Sequence, residues 1–181
     1  TQRGNNRQEV FFTDDDRHVY LSLLGKQARR FGMRVEAYCL MTNHVHLVVV
    51  PTAEAALAAA VGRTHFLYTQ FINRLHGRSG HLWQNRFFSC PTDDAHAYAA
   101  YCYVERNPVR ARLVRTPWRY AWSSAAAHCA GSDPLGLLDL EGWRERVGEV
   151  DWREQLQDLS VEEVEEPLRR HTSTGRPLAG D

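Results

Sequence analysis

Two histidines, His44 and His46, lie in the apolar stretch YCLMTNHVHLVVVP at residues 38–51. Side chains of a β-strand alternate between the two faces of a sheet, so residues i and i+2 point the same way, about 6.5–7 Å apart. The spacing therefore predicts that both imidazoles project from one face, with Val45 and Leu47 on the other. Two neutral imidazoles so placed can converge on one divalent metal ion, although a pair of structural histidines is the alternative. Two nitrogens seldom complete a metal site, so a third ligand should come from elsewhere.

A tyrosine and an asparagine four residues apart, Tyr103 and Asn107, lie in the stretch YCYVERNPVRARLV. Residues four apart on a helix share a face, about 5–6 Å from each other. Tyr103 is therefore a candidate nucleophile and Asn107 a candidate third ligand. The alternatives are structural: Tyr103 could be a core aromatic. Asn107 could cap a new helix, because a residue before proline resists the helical conformation.

The charge distribution divides the chain into a basic body and an acidic end. Residues 1–131 contain 16 Arg or Lys and 9 Asp or Glu, a net charge of +7, whereas residues 132–181 contain 6 and 13, a net charge of −7. Of the 22 basic residues, 21 are arginine, whose planar guanidinium can donate two parallel hydrogen bonds to a phosphate. The body is thus typical of a nucleic-acid-binding protein, the alternative being that the arginines form solvated faces.

Length and composition indicate one soluble domain with an appendage. The 181 residues are enough for a single hydrophobic core, and no apolar run reaches the roughly 18 residues of a membrane helix. No leader-peptide pattern is visible, and the four cysteines form no C-x-x-C pair. We therefore expect buried thiols in a reducing cytoplasm.

Hydrophobic periodicity predicts the element order β-α-β-β-α-β-α, an α+β architecture with helices covering one sheet face. The first helix should be capped by Asp14 to Asp16 and end at Gly32. Strands are predicted at 7–12, 34–42, 44–50 and 81–90, helices at 14–32, 53–77 and 92–107, and short helical patterns at 139–148 and 161–170.

Four stretches in order, MTNHVHLVV, GHLWQNRFFSCP, YVERNPVRA and WSS, resemble the REP-associated tyrosine transposases (RAYTs). These are single-tyrosine transposases of the HUH endonuclease superfamily, in which H-hydrophobic-H is the metal motif. The resemblance runs from about Arg3 to the GRP at 175–177. It implies a ferredoxin-like (RRM-like) sandwich, an antiparallel sheet with helices on one face, plus a C-terminal helical extension. Residues 1–131 would form the HUH transposase domain, and residues 132–181 the acidic extension and tail.

The resemblance also implies a catalytic site. His44 and His46 match the metal ligands, Asn107 the polar third ligand and Tyr103 the nucleophile, with Mg²⁺ or Mn²⁺ as the cofactor. The implied activity is that of a metal-dependent, site-specific endonuclease and strand transferase. Its substrate would be hairpin-forming single-stranded repeat DNA, and it would act through a 5′-phosphotyrosine. The alternatives are a non-catalytic module that binds structured single-stranded DNA or RNA, and a metal phosphodiesterase that uses water.

The remaining expectations concern the cellular setting, the C-terminal segment and the DNA contacts. The protein is expected in the cytoplasm, associated with the nucleoid, as a monomer or homodimer that does not bind membranes. Residues 161–181 include four glutamates between 162 and 166. From the charge distribution we interpret this segment as a flap that modulates substrate entry, the alternative being an ordinary solvated helix. Residues predicted to contact DNA are Arg3, Gly4, Asn5, Arg78, Arg86, Arg110 and Arg112.

Overall fold

The computed structural model describes residues 1–158, which form a three-stranded antiparallel sheet in the order β1-β3-β2. The α+β class predicted from periodicity is confirmed. The strands are β1 (Gln2–Arg3), β2 (Met33–Met41) and β3 (His44–Pro51). The helices are α1 (Asp14–Phe31), α2 (Ala56–Leu75), α3 (Asp94–Glu105), α4 (Asn107–Arg110), α5 (Ala125–Ala130), α6 (Leu140–Val147) and α7 (Trp152–Gln157), with short 3₁₀ helices at Asn5–Arg7 and Pro117–Arg119.

Helix α1 begins at Asp14 as predicted, but its capping residue differs from the prediction. Thr13, rather than an aspartate, is the N-cap, and its hydroxyl accepts from the backbone N–H of Asp16. The Asp16 carboxylate in turn accepts from the backbone N–H of Thr13 at 2.9 Å, which completes a capping box. Gly32 ends the helix as predicted, in the left-handed conformation at φ 69°.

The β2–β3 hairpin fixes which side chains share a sheet face. His44 pairs with Met41, His46 with Cys39 and Val45 with Leu40. Because paired residues point the same way, both histidines share the face of Met41 and Cys39, while Val45 lies on the opposite face. The predicted projection of the two imidazoles from one face is therefore confirmed.

Hydrophobic cores lie on both faces of the sheet. Helices α1 and α2 cover the Val45 face, where Tyr20 and Tyr68 are fully buried. Helix α3 crosses the histidine face, where Tyr101 is buried with Trp143 of α6 and Trp152 of α7. The described residues 132–158 thus pack behind α3, and α3 is held between the sheet and α6 and α7.

Two predicted strands are wrong. Residues 7–12 form a loop whose apolar Val10 and Phe11 are buried, and both backbone N–H groups donate to the carbonyl of Thr42. Residues 81–90 form no strand, although an isolated bridge joins Trp83 to Gly4. Asn85, at φ 59°, departs from the extended conformation and interrupts further pairing.

Residues 159–181, the last part of the acidic C-terminal extension, lie outside the described residues. The helical pattern predicted at 161–170 and the flap predicted at 161–181 both fall in that part of the chain. Within residues 1–158, none of the helices has the length and hydropathy needed to cross a bilayer.

Candidate active site

The two histidines of β3 are held with their ring centroids 4.9 Å apart. Nδ1 of His44 lies 2.7 Å from the side-chain oxygen of Asn43, and Nδ1 of His46 lies 3.0 Å from the hydroxyl of Thr1. When Nδ1 is engaged in this way, Nε2 remains as the nitrogen that can bind a cation. Both imidazoles are therefore oriented like the ligands of a metal site.

Both imidazoles are also neutral at physiological pH. Burial, together with the positive charge of Arg3, lowers the pKa of His44 to about 4. Burial lowers the pKa of His46 well below its usual range, with the charges of neighbouring His44 and of Arg110 acting in the same direction. Neutral imidazole is the form that binds metal ions, so the protonation state fits a metal site.

Tyr103 of α3 lies against this pair. Its ring centroid is 5.5 Å from that of His46, with the two ring planes nearly perpendicular. The side chain is half-buried, so one part of the ring packs in the protein and another reaches solvent. Tyr103 is thus brought to the histidine face of the sheet, with part of its side chain accessible to solvent.

The two other tyrosines of α3 are unsuited to nucleophilic attack. The Tyr101 hydroxyl is buried and donates to the carboxylate of Glu36 at 2.6 Å, and burial raises its pKa far above the usual range. The Tyr98 hydroxyl donates to Gln155 of α7, and burial raises its pKa to about 12. Both hydroxyl groups serve to attach α3 to its neighbours.

Asn107 lies one helical turn beyond Tyr103 and is hydrogen-bonded to it. It is the first residue of α4 rather than the cap, which is Arg106. Its side-chain nitrogen donates to the backbone carbonyl of Tyr103 at 3.0 Å. The amide oxygen is therefore the atom that remains to bind a cation. The structure thus links the four predicted residues in a chain of contacts, from His44 through His46 and Tyr103 to Asn107.

The donor set fits a divalent cation with amide and imidazole ligands. Among residues 1–158, histidine, cysteine, aspartate and glutamate side chains form no cluster of three that could hold a metal ion. A third protein ligand would therefore be another kind of group, and the amide oxygen of Asn107 is one such group. A mixed nitrogen and oxygen set is compatible with Mg²⁺, Mn²⁺ or Zn²⁺ and does not choose among them.

Arg3, Arg110 and Arg112 lie near the site in different ways. Arg3 is exposed on β1, where it pairs with His44. Arg110 is half-buried, and its guanidinium carbon lies 4.4 Å from the ring centroid of Tyr103. Arg112 is exposed immediately after α4 and adopts a left-handed backbone conformation. Arg3 and Arg110 are therefore close in space to the histidines and the tyrosine, whereas Arg112 is related to them only along the chain.

Asn5 and Arg86 line a shallow cavity next to β1, together with His81, Trp83 and Asn85. Arg86 is exposed, and Asn5 is half-buried, so both can be reached from solvent. This cavity places a cation, two amides and an aromatic ring beside the turn that carries Arg3.

Gly4 and Arg78 have contacts within the protein. Gly4 is buried, and a Cβ atom there would lie 2.2 Å from the carbonyl oxygen of Gln8. The glycine thus permits a close approach of the protein's own backbone, and a contact with DNA stays a prediction. Arg78 is exposed, and its guanidinium donates to the side-chain oxygen of Gln8 at 2.6 Å. Gln8 lies on the same loop as Gly4.

A cavity of about 440 Å³ borders the site along β3. His46 and Tyr103 line one end, and Phe87 and Phe88 contribute to an apolar wall. Neither His44 nor Asn107 lines it, so the cavity borders only part of the candidate site.

Asn43 is a site residue that the sequence motifs did not identify. It was placed only at the break between two strands, yet its side chain contacts His44 and also donates to the carbonyl of Arg7 at 3.1 Å. Its position directly before the H-x-H was the available signal. The ring contact between Arg110 and Tyr103 was also missed, because Arg110 was assigned to DNA alone.

Comparison with known proteins bears on the family and the fold of this chain. The family model described as "Transposase IS200 like" matches residues 2–107. A solved structure of a REP-associated tyrosine transposase bound to a REP hairpin has a similar fold, with a TM-score of 0.53 and 17% sequence identity. The match covers 74% of this chain and 79% of the other. No curated protein is significantly similar in sequence.

Proposed function

Since the chain belongs to the IS200-like transposase family, we propose that it cleaves and rejoins hairpin-forming single-stranded repeat DNA through a 5′-phosphotyrosine intermediate. The observation that carries this proposal is the contact between His46 and Tyr103, with ring centroids 5.5 Å apart. This contact places the phenol ring of Tyr103 beside two neutral imidazoles that can bind a cation.

The residues that would hold the cation are His44, His46 and Asn107. When bound there, Mg²⁺ or Mn²⁺ supplies charge withdrawal from a non-bridging phosphate oxygen and orientation of the scissile bond. The chain's own contribution is to orient the ligands: Asn43 fixes the ring of His44, and the Tyr103 carbonyl fixes the amide of Asn107.

The covalent step uses the oxygen of Tyr103. The phenolic oxygen attacks phosphorus, the phenol proton is released, and the bond between phosphorus and the 3′ oxygen breaks. The leaving 3′ oxygen takes up a proton and becomes a free 3′-OH, while the 5′ phosphate stays on the tyrosine. Because the phosphotyrosine is still a phosphodiester, a second 3′-OH can displace it and join the strands.

A hairpin substrate is supported by two observations. The structurally similar protein was solved with a REP hairpin. In this chain, the exposed Arg3 lies beside His44 and the exposed Arg86 lines the cavity next to β1, where both can bind phosphates of a folded single strand.

The proposal is tested with a hairpin oligonucleotide labelled at its 3′ end, so that the label stays with the 5′-phosphotyrosine. With Mg²⁺, the wild type and Tyr98→Phe should both give a labelled adduct that survives denaturing electrophoresis, whereas Tyr103→Phe should give none. Cleavage without an adduct, retained by Tyr103→Phe, would indicate a phosphodiesterase that uses water. Binding without cleavage in the wild type would indicate a non-catalytic module.

A further inference from the structure

Arg110 contacts the ring and the backbone of Tyr103 at once. Its guanidinium carbon lies 4.4 Å from the ring centroid, within the range of a cation–π interaction. Its Nη2 donates to the backbone carbonyl of Tyr103. The half-buried guanidinium is therefore directed at the tyrosine seven residues before it, where Asn107 donates to the same carbonyl.

Glu105, the acidic residue nearest to Tyr103 in sequence, points away from the tyrosine ring that Arg110 contacts. Glu105 is fully buried on the other side of α3, and its carboxylate accepts from Ser124 and from Trp152 Nε1. The positive charge of Arg110 also contributes to the lowered pKa of His46, so it acts at the histidine face. The side of the site that carries the nucleophile thus holds a fixed cation.

Resting on the proposed function above, we propose that Arg110 is a positioning residue for Tyr103 and supplies positive charge to the phosphoryl transfer. Its contact with the carbonyl and the ring holds the phenol at the histidine face. Its charge stabilises the negative charge that develops on the phenolic oxygen and the phosphate when the proton leaves and the phosphorus–oxygen bond exchanges. Arg110 remains protonated throughout and transfers no proton.

This role differs from that of an arginine that only holds DNA. A backbone contact strengthens binding of the ground state and of the transition state alike, so its loss weakens affinity. A group aimed at charge that develops during reaction chiefly raises the rate, and removal of one such donor costs about 10²–10³-fold in kcat. The planar guanidinium can stack on the ring and donate to the carbonyl together, which a lysine ammonium cannot do.

The test compares Arg110→Ala and Arg110→Lys with Arg112→Ala and Arg115→Ala, two exposed arginines of the following segment. Hairpin affinity is measured without metal, and single-turnover cleavage is measured with Mg²⁺ at saturating hairpin. We expect Arg110→Ala to cleave about 10²-fold more slowly while its Kd changes less than about threefold. Arg110→Lys should recover part of the rate, as should added guanidinium ion with Arg110→Ala. Arg112→Ala should chiefly lose affinity, and Arg115→Ala should match the wild type.

Two results would overturn the inference. One is Arg110→Ala cleaving at the wild-type rate when saturated, with only its affinity reduced. The other is that Arg110→Ala unfolds thermally like the wild type and cleaves slowly, but added guanidinium does not raise its rate and Arg110→Lys cleaves no faster than Arg110→Ala. Failure of the proposed function is distinguishable, because the wild type would then form no adduct, or Tyr103→Phe would still form one.

Discussion

At the scale of single residues, the candidate site depends on how each ligand is held by its neighbour. His44 contacts Asn43 through Nδ1, His46 contacts Thr1 through Nδ1, and Asn107 donates to the carbonyl of Tyr103. In each case one end of the side chain is engaged by the protein and the other end is left as the donor atom for a cation. Such contacts fix ring and amide orientation before any cation binds.

Substitution of either histidine should separate cleavage from binding. We expect His44→Ala and His46→Ala to abolish cleavage, because each removes one of two nitrogen ligands, while hairpin affinity stays within several-fold of the wild type. Affinity and cleavage are measured on the same hairpin with Mg²⁺ or Mn²⁺. If either variant cleaves as fast as the wild type at saturating Mn²⁺, the metal assignment is wrong.

At the scale of elements, α3 is positioned by the segment that packs behind it. Glu105, two residues after Tyr103, is fully buried, and its Oε2 accepts from Trp152 Nε1 at 2.7 Å. Its Oε1 lies 2.6 Å from Nδ1 of His128, whose ring stacks on Trp143 at 4.0 Å. A buried carboxylate needs hydrogen-bond donors, and Ser124 before α5 and Trp152 of α7 supply them, so these elements stabilise the end of α3 that carries the tyrosine.

Replacement of Trp152 measures this attachment. Trp152→Phe removes the donor to Glu105 and leaves a buried carboxylate oxygen without that partner. Trp143→Phe is a matched control in the same core, since Nε1 of Trp143 has no hydrogen-bond partner among the described residues. We expect Trp152→Phe to lower the free energy of unfolding by about 1–3 kcal/mol more than Trp143→Phe does. If urea unfolding shows the same loss of unfolding free energy for both variants, packing alone attaches α7.

The turn after β1 depends on the absence of a side chain at Gly4. A Cβ there would lie 2.2 Å from the carbonyl oxygen of Gln8 and 2.8 Å from Val10 Cγ1. We therefore expect Gly4→Ala to lower the free energy of unfolding by about 1–3 kcal/mol. Gly62→Ala in α2 meets nothing within 4 Å and should raise it by about 0.5–1 kcal/mol. The free energy of unfolding of both variants is measured in urea. If Gly4→Ala leaves it unchanged, the close approach at Gly4 is contradicted.

At the scale of the whole molecule, buried neutral histidines make stability depend on pH. His65 is buried between Tyr20 and Trp83, and burial lowers its pKa to about 3. In the unfolded chain its pKa is near 6.5, so the unfolded state binds more protons below that value. The contribution of neutral His65 is therefore fully present above pH 6.5 and is lost as the pH falls toward 3.

Substitution of His65 should reduce this acid sensitivity. His65→Gln keeps a polar partner for the Tyr20 hydroxyl and cannot titrate. Between pH 7 and pH 5, we expect its free energy of unfolding to fall by about 2 kcal/mol less than that of the wild type. His81→Gln, at an exposed position, should keep the wild-type slope. The burial argument fails if His65→Gln and His81→Gln have the same slope.

The sequence predicted the parts of the molecule that follow local rules. The alternation of β3 placed both histidines on one face, and the helical spacing placed Asn107 beside Tyr103. Residues 7–12 and 81–90 were wrongly predicted as strands, because apolar side chains there fill the core without a continuous ladder and Asn85 turns the chain. The Arg110–Tyr103 contact joins residues seven apart across the junction of α3 and α4, where α3 ends and a new helix begins, so periodicity alone could not predict it.

The central claim is that Tyr103 attacks DNA, and mapping the covalent adduct tests it most directly. The wild-type protein is incubated with hairpin DNA and Mg²⁺, digested with nuclease and protease, and the modified peptide is sequenced by mass spectrometry. We expect the nucleotide on Tyr103, whose ring lies against His46 and is partly exposed. A nucleotide on Tyr98 or Tyr101, or cleaved DNA with no modified peptide, would contradict the account.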